Sequence, residues 1–196
     1  MMSVTSKIIE VVRKIFSDSE KGAHTLDHIM RVHSLSIQLS EGENVNTKVL
    51  EAAALLHDIG RPKEEVTGIS HSILSGEMSR EILEELHFTA DEVERVIEAI
   101  RTHRFSEGIE PTSLEGQILS DADKLDAIGA IGIYRAVAQA ASSGRGIEGF
   151  LKHADEKLLK LHGLMYTAKA GFLAEDRHGF LKSFVNRLRE ETRSAL

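Results

Sequence analysis

The sequence contains no cysteine and only two prolines among its 196 residues. Without cysteine the chain has no disulfide and no thiolate zinc site, so any metal site must be built from His, Asp or Glu. The absence of thiols also agrees with a reducing compartment, and we expect a cytoplasmic protein.

Basic charge is also scarce, because 24 Lys and Arg stand against 31 Asp and Glu, for a formal net charge of −7. A large nucleic-acid surface would need a basic face. A small phosphorylated partner needs only a few local cations, and this is the partner we expect. No segment has the apolar length that a membrane span requires. Residues 1–15 mix apolar with charged residues, which indicates an amphipathic helix and not the core of a signal peptide.

Apolar residues recur at helical spacing nearly throughout, and no long stretch alternates as a strand would. The predicted helices cover approximately 4–17, 26–39, 47–59, 72–86, 90–102, 114–126, 128–141, 149–161 and 166–193. Gly60 and Pro62 are predicted to end the third of them. This pattern favours an all-α, bundle-like single domain over residues 1–196.

An ionisable pair, His57-Asp58, follows a segment that is apolar almost all round, formed by Val49, Leu50, Ala52, Ala53, Ala54, Leu55 and Leu56. Such a helix is buried, and burying adjacent ionisable side chains costs several kcal/mol unless they are satisfied. Asp58 also falls at the C-terminal end of the helix, where the dipole disfavours an anion. A bound cation would remove both penalties, and the alternative is a helix end that emerges into solvent.

Two further residues, His28 and Asp123, are candidate metal ligands. His28 lies on the helical stripe of Val32, Leu35 and Leu39, where a histidine is also consistent with ordinary core packing. Asp123 is the middle acid of the segment 121–126, whose apolar flanks make a solvated acidic face a poorer explanation. His71 begins one predicted helix and His103 ends another. Each is a candidate hydrogen-bond donor to a ligand, acid catalyst, ligand of a second metal, or helix cap.

These residues together resemble the HD-domain superfamily of metal-dependent phosphohydrolases. The matching motifs are His28-Ile29-Met30-Arg31-Val32, the segment 53–60 that ends in His57-Asp58-Ile59-Gly60, and Asp121-Ala122-Asp123-Lys124-Leu125-Asp126. The resemblance covers about residues 24–135. Within the superfamily, the chain is most similar to small stand-alone HD hydrolases. Residues from about 147 to 196 would then form a C-terminal helical extension. It implies an all-α HD-domain bundle, with His28, His57, Asp58 and Asp123 as the ligands of one metal.

The resemblance also implies a reaction, namely hydrolysis of a small phosphorylated substrate, with a nucleotide as the favoured class and either a phosphatase or a pyrophosphohydrolase as the enzyme. Ligands of mixed nitrogen and oxygen type suit Mn, Fe, Co, Ni or Zn better than Ca. Candidates for binding the substrate phosphate are Lys124, Arg61 and His103. Candidates for positioning the attacking water are Asp58, Glu64 and His71.

The sequence departs from the family pattern at one point. Many members carry an acid three or four residues after the His-Asp pair, where this chain has Arg61 and Pro62, so the general base stays open. Neither Tyr134 nor Tyr166 precedes a proline, which argues against the Gly-Tyr-Pro branch of cyclic-dinucleotide phosphodiesterases.

Two alternatives remain. One is a di-metal HD oxygenase or hydrolase that uses His71 and His103 for a second metal. The other is a non-catalytic, nucleotide-sensing HD module, whose interaction surface would come from the last helices. The sequence leaves open whether residues 166–196 close the pocket or form a homodimer.

Overall fold

The structure, a computed structural model, describes residues 2–17, 26–104 and 107–194. The described residues form helices without any strand, which confirms the predicted all-α class. The α-helices are α1 Val4–Phe16, α2 Leu26–Ser40, α3 Thr47–Leu56, α4 Arg61–Thr67, α5 His71–Glu85, α6 Ala90–Thr102, α7 Leu114–Asp126, α8 Gly129–Ser142, α9 Gly146–Glu156 and α10 Ala168–Ser194. Residue 24, where the predicted HD core begins, lies outside the described residues.

The prediction was wrong in two places. Helix α3 ends at Leu56, three residues earlier than expected, and the unexpected helix α4 follows it. Pro62 was interpreted as a terminator but lies in the first turn of α4, where a missing N–H costs no intrahelical hydrogen bond. The predicted helix 149–161 is divided into α9 and a 3₁₀ helix, Leu158–Leu164.

The chain falls into two compact units, Met1–Asp123 and Lys124–Leu196. In the first unit α3 is central and packs against α1, α2 and α6. Every α3 residue from Ala52 to Leu56 is fully buried, as the apolar sequence predicted. Because α3 is fixed on several sides, the His57-Asp58 turn that follows it starts from a well-determined position.

A close approach of backbones places α5 beside the His57-Asp58 turn. A Cβ atom on Gly60 would lie 2.7 Å from the backbone nitrogen of Ser75 and 2.8 Å from the carbonyl oxygen of His71. The Gly60 N–H also donates to Ser75 Oγ at 2.9 Å. Glycine is therefore required here for space, and it brings the start of α5 against the turn.

The second unit is formed by α8, α9, the 3₁₀ helix and α10. Arg135 makes an ion pair with buried Asp126 at 2.5 Å, and Arg177 donates to the carbonyl oxygen of Leu125 at 2.6 Å. Among the described residues, no helix is both long enough and apolar enough to cross a membrane.

Candidate metal centre

The His57-Asp58 pair is buried immediately beyond α3, where His57 is the C-cap residue. His57 Nδ1 lies 2.8 Å from the carbonyl oxygen of Ala54. A carbonyl oxygen only accepts, so Nδ1 carries the proton and Nε2 presents a lone pair. The carbonyl near the end of α3 therefore orients this imidazole as a ligand.

A first group of possible metal ligands consists of His28, His57 and Asp58, which come from α2 and from the turn after α3. His28 Nε2 lies 3.3 Å from His57 Nε2 and 3.6 Å from Asp58 Oδ2. Asp123 of α7 joins this group through its Oδ1, which is 3.4 Å from His28 Nε2. The structure thus brings together all four residues that the sequence proposed as metal ligands.

A second group consists of Asp58, His71 and His103. Asp58 Oδ1 lies 3.2 Å from His71 Nε2 and 3.8 Å from His103 Nε2. His103 is the C-cap of α6, and its Nδ1 donates to the carbonyl oxygen of Ile100 at 2.5 Å. Asp58 is common to both groups and turns a different oxygen to each.

The convergence of these atoms fits a cation. His28, His57, Asp58, His71 and His103 are all 0 or 1% exposed. His71 Nε2 is buried without a hydrogen-bond partner among the described residues, and such orphaned polar atoms are rare in folded proteins. Imidazole nitrogens and carboxylate oxygens, without thiolate, are a ligand set suited to a divalent transition metal.

Electrostatics keep the histidines of the second group neutral and the Asp123 carboxylate ionised. Burial lowers the pKa of His71 to about 4, although Asp58 acts in the opposite direction. Burial also lowers the pKa of His103, and His57 adds to that effect. For Asp123, burial acts to raise the pKa, but the neighbouring His28, His103 and His57 outweigh it and the pKa is well below its usual range. Neutral imidazole and ionised carboxylate are the forms that bind a metal.

The candidate phosphate-binding cations have partners inside the protein. Arg61 Nε donates to Asp58 Oδ1 at 3.0 Å, and Arg61 Nη1 donates to Glu64 at 3.3 Å. Lys124 Nζ donates to the carbonyl oxygen of Leu164 at 3.0 Å and lies 4.2 Å from the centroid of the Tyr166 ring. His103, the third candidate, belongs to the second ligand group. Phosphate binding by these residues stays a prediction.

Sequence reasoning missed a polar network beside the second group. Arg104 Nη1 donates to Glu64 at 2.9 Å and to Ser70 at 3.1 Å, and it also contacts Glu107. Glu107 in turn accepts hydrogen bonds from Ser70 and Ser72. The participants are up to 40 residues apart in the sequence, so no local spacing pattern signals the network.

Comparison with known proteins gives a consistent result. A family model described as the HD domain matches residues 25–128. The uncharacterised Bacillus subtilis protein YpgQ is 35% identical over 192 residues, which cover 92% of this chain and 89% of YpgQ.

Solved structures of similar sequence share the fold of this chain. The crystal structure of Bacillus subtilis YpgQ in complex with ADP matches with a TM-score of 0.78 and 32% identity, covering 95% of this chain and 97% of that chain. A crystal structure of an HD-superfamily hydrolase from Bacillus thuringiensis matches with a TM-score of 0.78 and 34% identity, covering 96% of each chain.

Proposed function

The chain belongs to the HD-domain family, and from that premise we propose that it is a metal-dependent phosphohydrolase acting on a small phosphorylated substrate. Its fold is that of HD-superfamily hydrolases. The observation that carries the proposal is that His28, His57 and Asp58 converge at a buried point and that Asp123, from a third part of the chain, contacts His28 there.

The four residues fit a divalent metal by their chemistry, and three of them, His28, His57 and Asp58, are buried. Two imidazoles and two carboxylates supply four ligands and leave coordination positions for water and for a phosphate oxygen on a six-coordinate ion. When bound, the metal would lower the pKa of its water and polarise the phosphorus centre. The protein contributes fixed ligand orientations, such as that of His57, which the Ala54 carbonyl oxygen sets.

Arg61 is the best-placed candidate for contacting the phosphate from within the first unit. It is anchored to Asp58, so its guanidinium is held beside the ligand groups. A guanidinium has five N–H donors, and two hydrogen bonds to described residues leave donors for phosphate oxygens. We assign Lys124 the same role on the strength of its place in the third motif.

A nucleotide is the favoured substrate class. Its support comes from the Bacillus subtilis relative, which was crystallised in complex with ADP. Both a phosphatase and a pyrophosphohydrolase are consistent with this ligand class, because either reaction places a phosphate oxygen on the metal.

A substrate panel tests the proposal. The purified protein with Mn²⁺ is incubated with nucleoside mono-, di- and triphosphates, sugar phosphates and cyclic nucleotides, and released phosphate and pyrophosphate are quantified separately. We expect turnover of nucleotides that is abolished by chelator and restored by Mn²⁺. Tight nucleotide binding without turnover would instead identify a sensing module, and turnover unaffected by chelator would contradict the metal-dependent mechanism.

A second candidate is a di-metal enzyme, either hydrolase or oxygenase. It is favoured by the second group around Asp58 and by the orphaned Nε2 of His71. Metal analysis after dialysis against Mn²⁺ or Fe²⁺ separates the candidates. Two ions per chain that fall to one in the His103→Gln variant would indicate the di-metal enzyme, and an O₂-dependent absorption change would indicate the oxygenase.

A further inference from the structure

Glu64 has an unusually complete set of hydrogen-bond donors. Its Oε2 accepts from His71 Nδ1 at 2.9 Å and from Arg61 at 3.3 Å. Its Oε1 accepts from Arg104 at 2.9 Å and from the backbone N–H of His71 at 3.2 Å. A carboxylate has about four lone-pair sites, so these four donors use its accepting capacity.

This saturation argues against Glu64 as the general base, a role that the sequence left open for it. A general base must reach the water whose proton it removes, and four fixed donors surround both oxygens of Glu64. The carboxylate is therefore a poor proton acceptor at this position.

The same contacts decide which nitrogen of His71 carries the proton. An ionised carboxylate only accepts, so His71 Nδ1 must donate to Glu64, and in the neutral ring Nε2 is left as a lone pair. That Nε2 is buried and lies 3.2 Å from Asp58 Oδ1. A cation between this lone pair and the carboxylate oxygen would be attracted to both.

We infer that Glu64 is a positioning residue that fixes His71 in the Nδ1–H tautomer, so that His71 Nε2 serves as a metal ligand and not as a proton donor. Arg104 supports this arrangement, because it links Glu64 to Glu107 and to Ser70, the N-cap of α5. Carboxylate–histidine–metal arrangements of this kind orient the ring and increase its basicity as a ligand. The inference rests on the proposed function in one respect, because it takes the group that accepts the Nε2 lone pair of His71 to be a metal.

The tautomer is measured directly in the full-length, metal-free protein labelled with [¹⁵N]histidine. Two-bond ¹H–¹⁵N correlation spectra at pH 7.5 show which ring nitrogen is protonated, and the His71 signals are assigned by their loss in His71→Gln. We expect the Nδ1–H form in the wild type. Glu64→Met should lose this preference, and Glu64→Gln should retain it, because its carbonyl oxygen still accepts from Nδ1.

The matched control is Glu65→Gln, since Glu65 is the exposed neighbour on α4 and makes no ion pair among the described residues. It should leave the His71 spectrum unchanged. In a titration with Mn²⁺ alone, we expect Glu64→Met to weaken binding by about 10–100-fold and Glu65→Gln to leave it unaltered.

An Nε2–H form of His71 in the wild type would overturn the inference, and so would an unchanged tautomer in a folded Glu64→Met variant. If Glu64→Met does not fold, the wild-type and Glu64→Gln spectra decide, because both must show Nδ1–H. The spectra are recorded without metal or substrate. A protein that hydrolyses nothing in the substrate panel would refute the proposed function without changing this result.

Discussion

Asp58 is the residue on which the candidate site depends most. One of its oxygens faces His28 and His57, and the other faces His71 and Arg61. The burial of an ionisable pair predicted that His57-Asp58 needs a partner, and the resemblance to the HD-domain superfamily implied His28 and Asp123 as the other ligands. It did not predict the role of Glu64, because hydrogen-bond saturation depends on Arg104, 40 residues away.

The lowered pKa of His71 predicts that acid destabilises the metal-free protein. Below its ordinary value of 6.5 the unfolded histidine takes up a proton, whereas the buried residue stays neutral until about pH 4. The free energy of unfolding should therefore fall as pH decreases between these values, by up to about 1.4 kcal/mol per pH unit for this one group. The lowered pKa values of the Asp123 and Glu64 carboxyls act in the same direction at lower pH.

Urea unfolding of the metal-free protein at pH 7.5, 6.0 and 5.0 measures this dependence. We expect the midpoint to fall steadily with pH and the His71→Asn variant to show a shallower dependence. A midpoint that is flat or rises towards pH 5.0 would show that His71 is not held neutral in the folded protein.

At the scale of elements, the site is produced by the short connection between α3 and α5. The apolar sequence of α3 was enough to predict its burial, but the exact end of the helix was not predictable, because the signals of Gly60 and Pro62 suit a C-terminus and an N-terminus equally. The structure resolves this ambiguity with α4, a seven-residue helix that carries Arg61 and Glu64 to the second ligand group.

Gly60→Ala tests the importance of this connection. The added methyl group would meet backbone atoms of α5 at 2.7 and 2.8 Å, so we expect a loss of about 1–3 kcal/mol in the free energy of unfolding together with weaker Mn²⁺ binding. The matched control is Gly179→Ala in α10, where a Cβ meets no atom of the described chain within 4 Å and alanine should stabilise the helix by up to about 1 kcal/mol. Chemical unfolding of both variants checks the signs, and equal effects would refute the packing argument.

At the scale of the whole molecule, the described chain forms two compact units, and the HD-domain match extends from residue 25 to residue 128. The residues proposed for the metal lie in the first unit. A single domain over residues 1–196 with an extension from about 147 stays a prediction. Fold class and family were predictable because helical periodicity and the three motifs are local in the sequence. The subdivision of the chain was not, since it depends on contacts between distant helices.

The central claim is that His28, His57, Asp58 and Asp123 hold a catalytic metal, and Mn²⁺ binding to the Asp123→Ala variant tests it most directly. Equilibrium dialysis with elemental analysis gives the ions bound per chain, and the substrate panel is run on the same samples. Asp91→Ala, at an exposed position in the first turn of α6, is the control. We predict that the wild type and the control bind at least one Mn²⁺ per chain and turn over substrate, whereas Asp123→Ala loses most of both. Full metal content and full activity in folded Asp123→Ala would contradict the account.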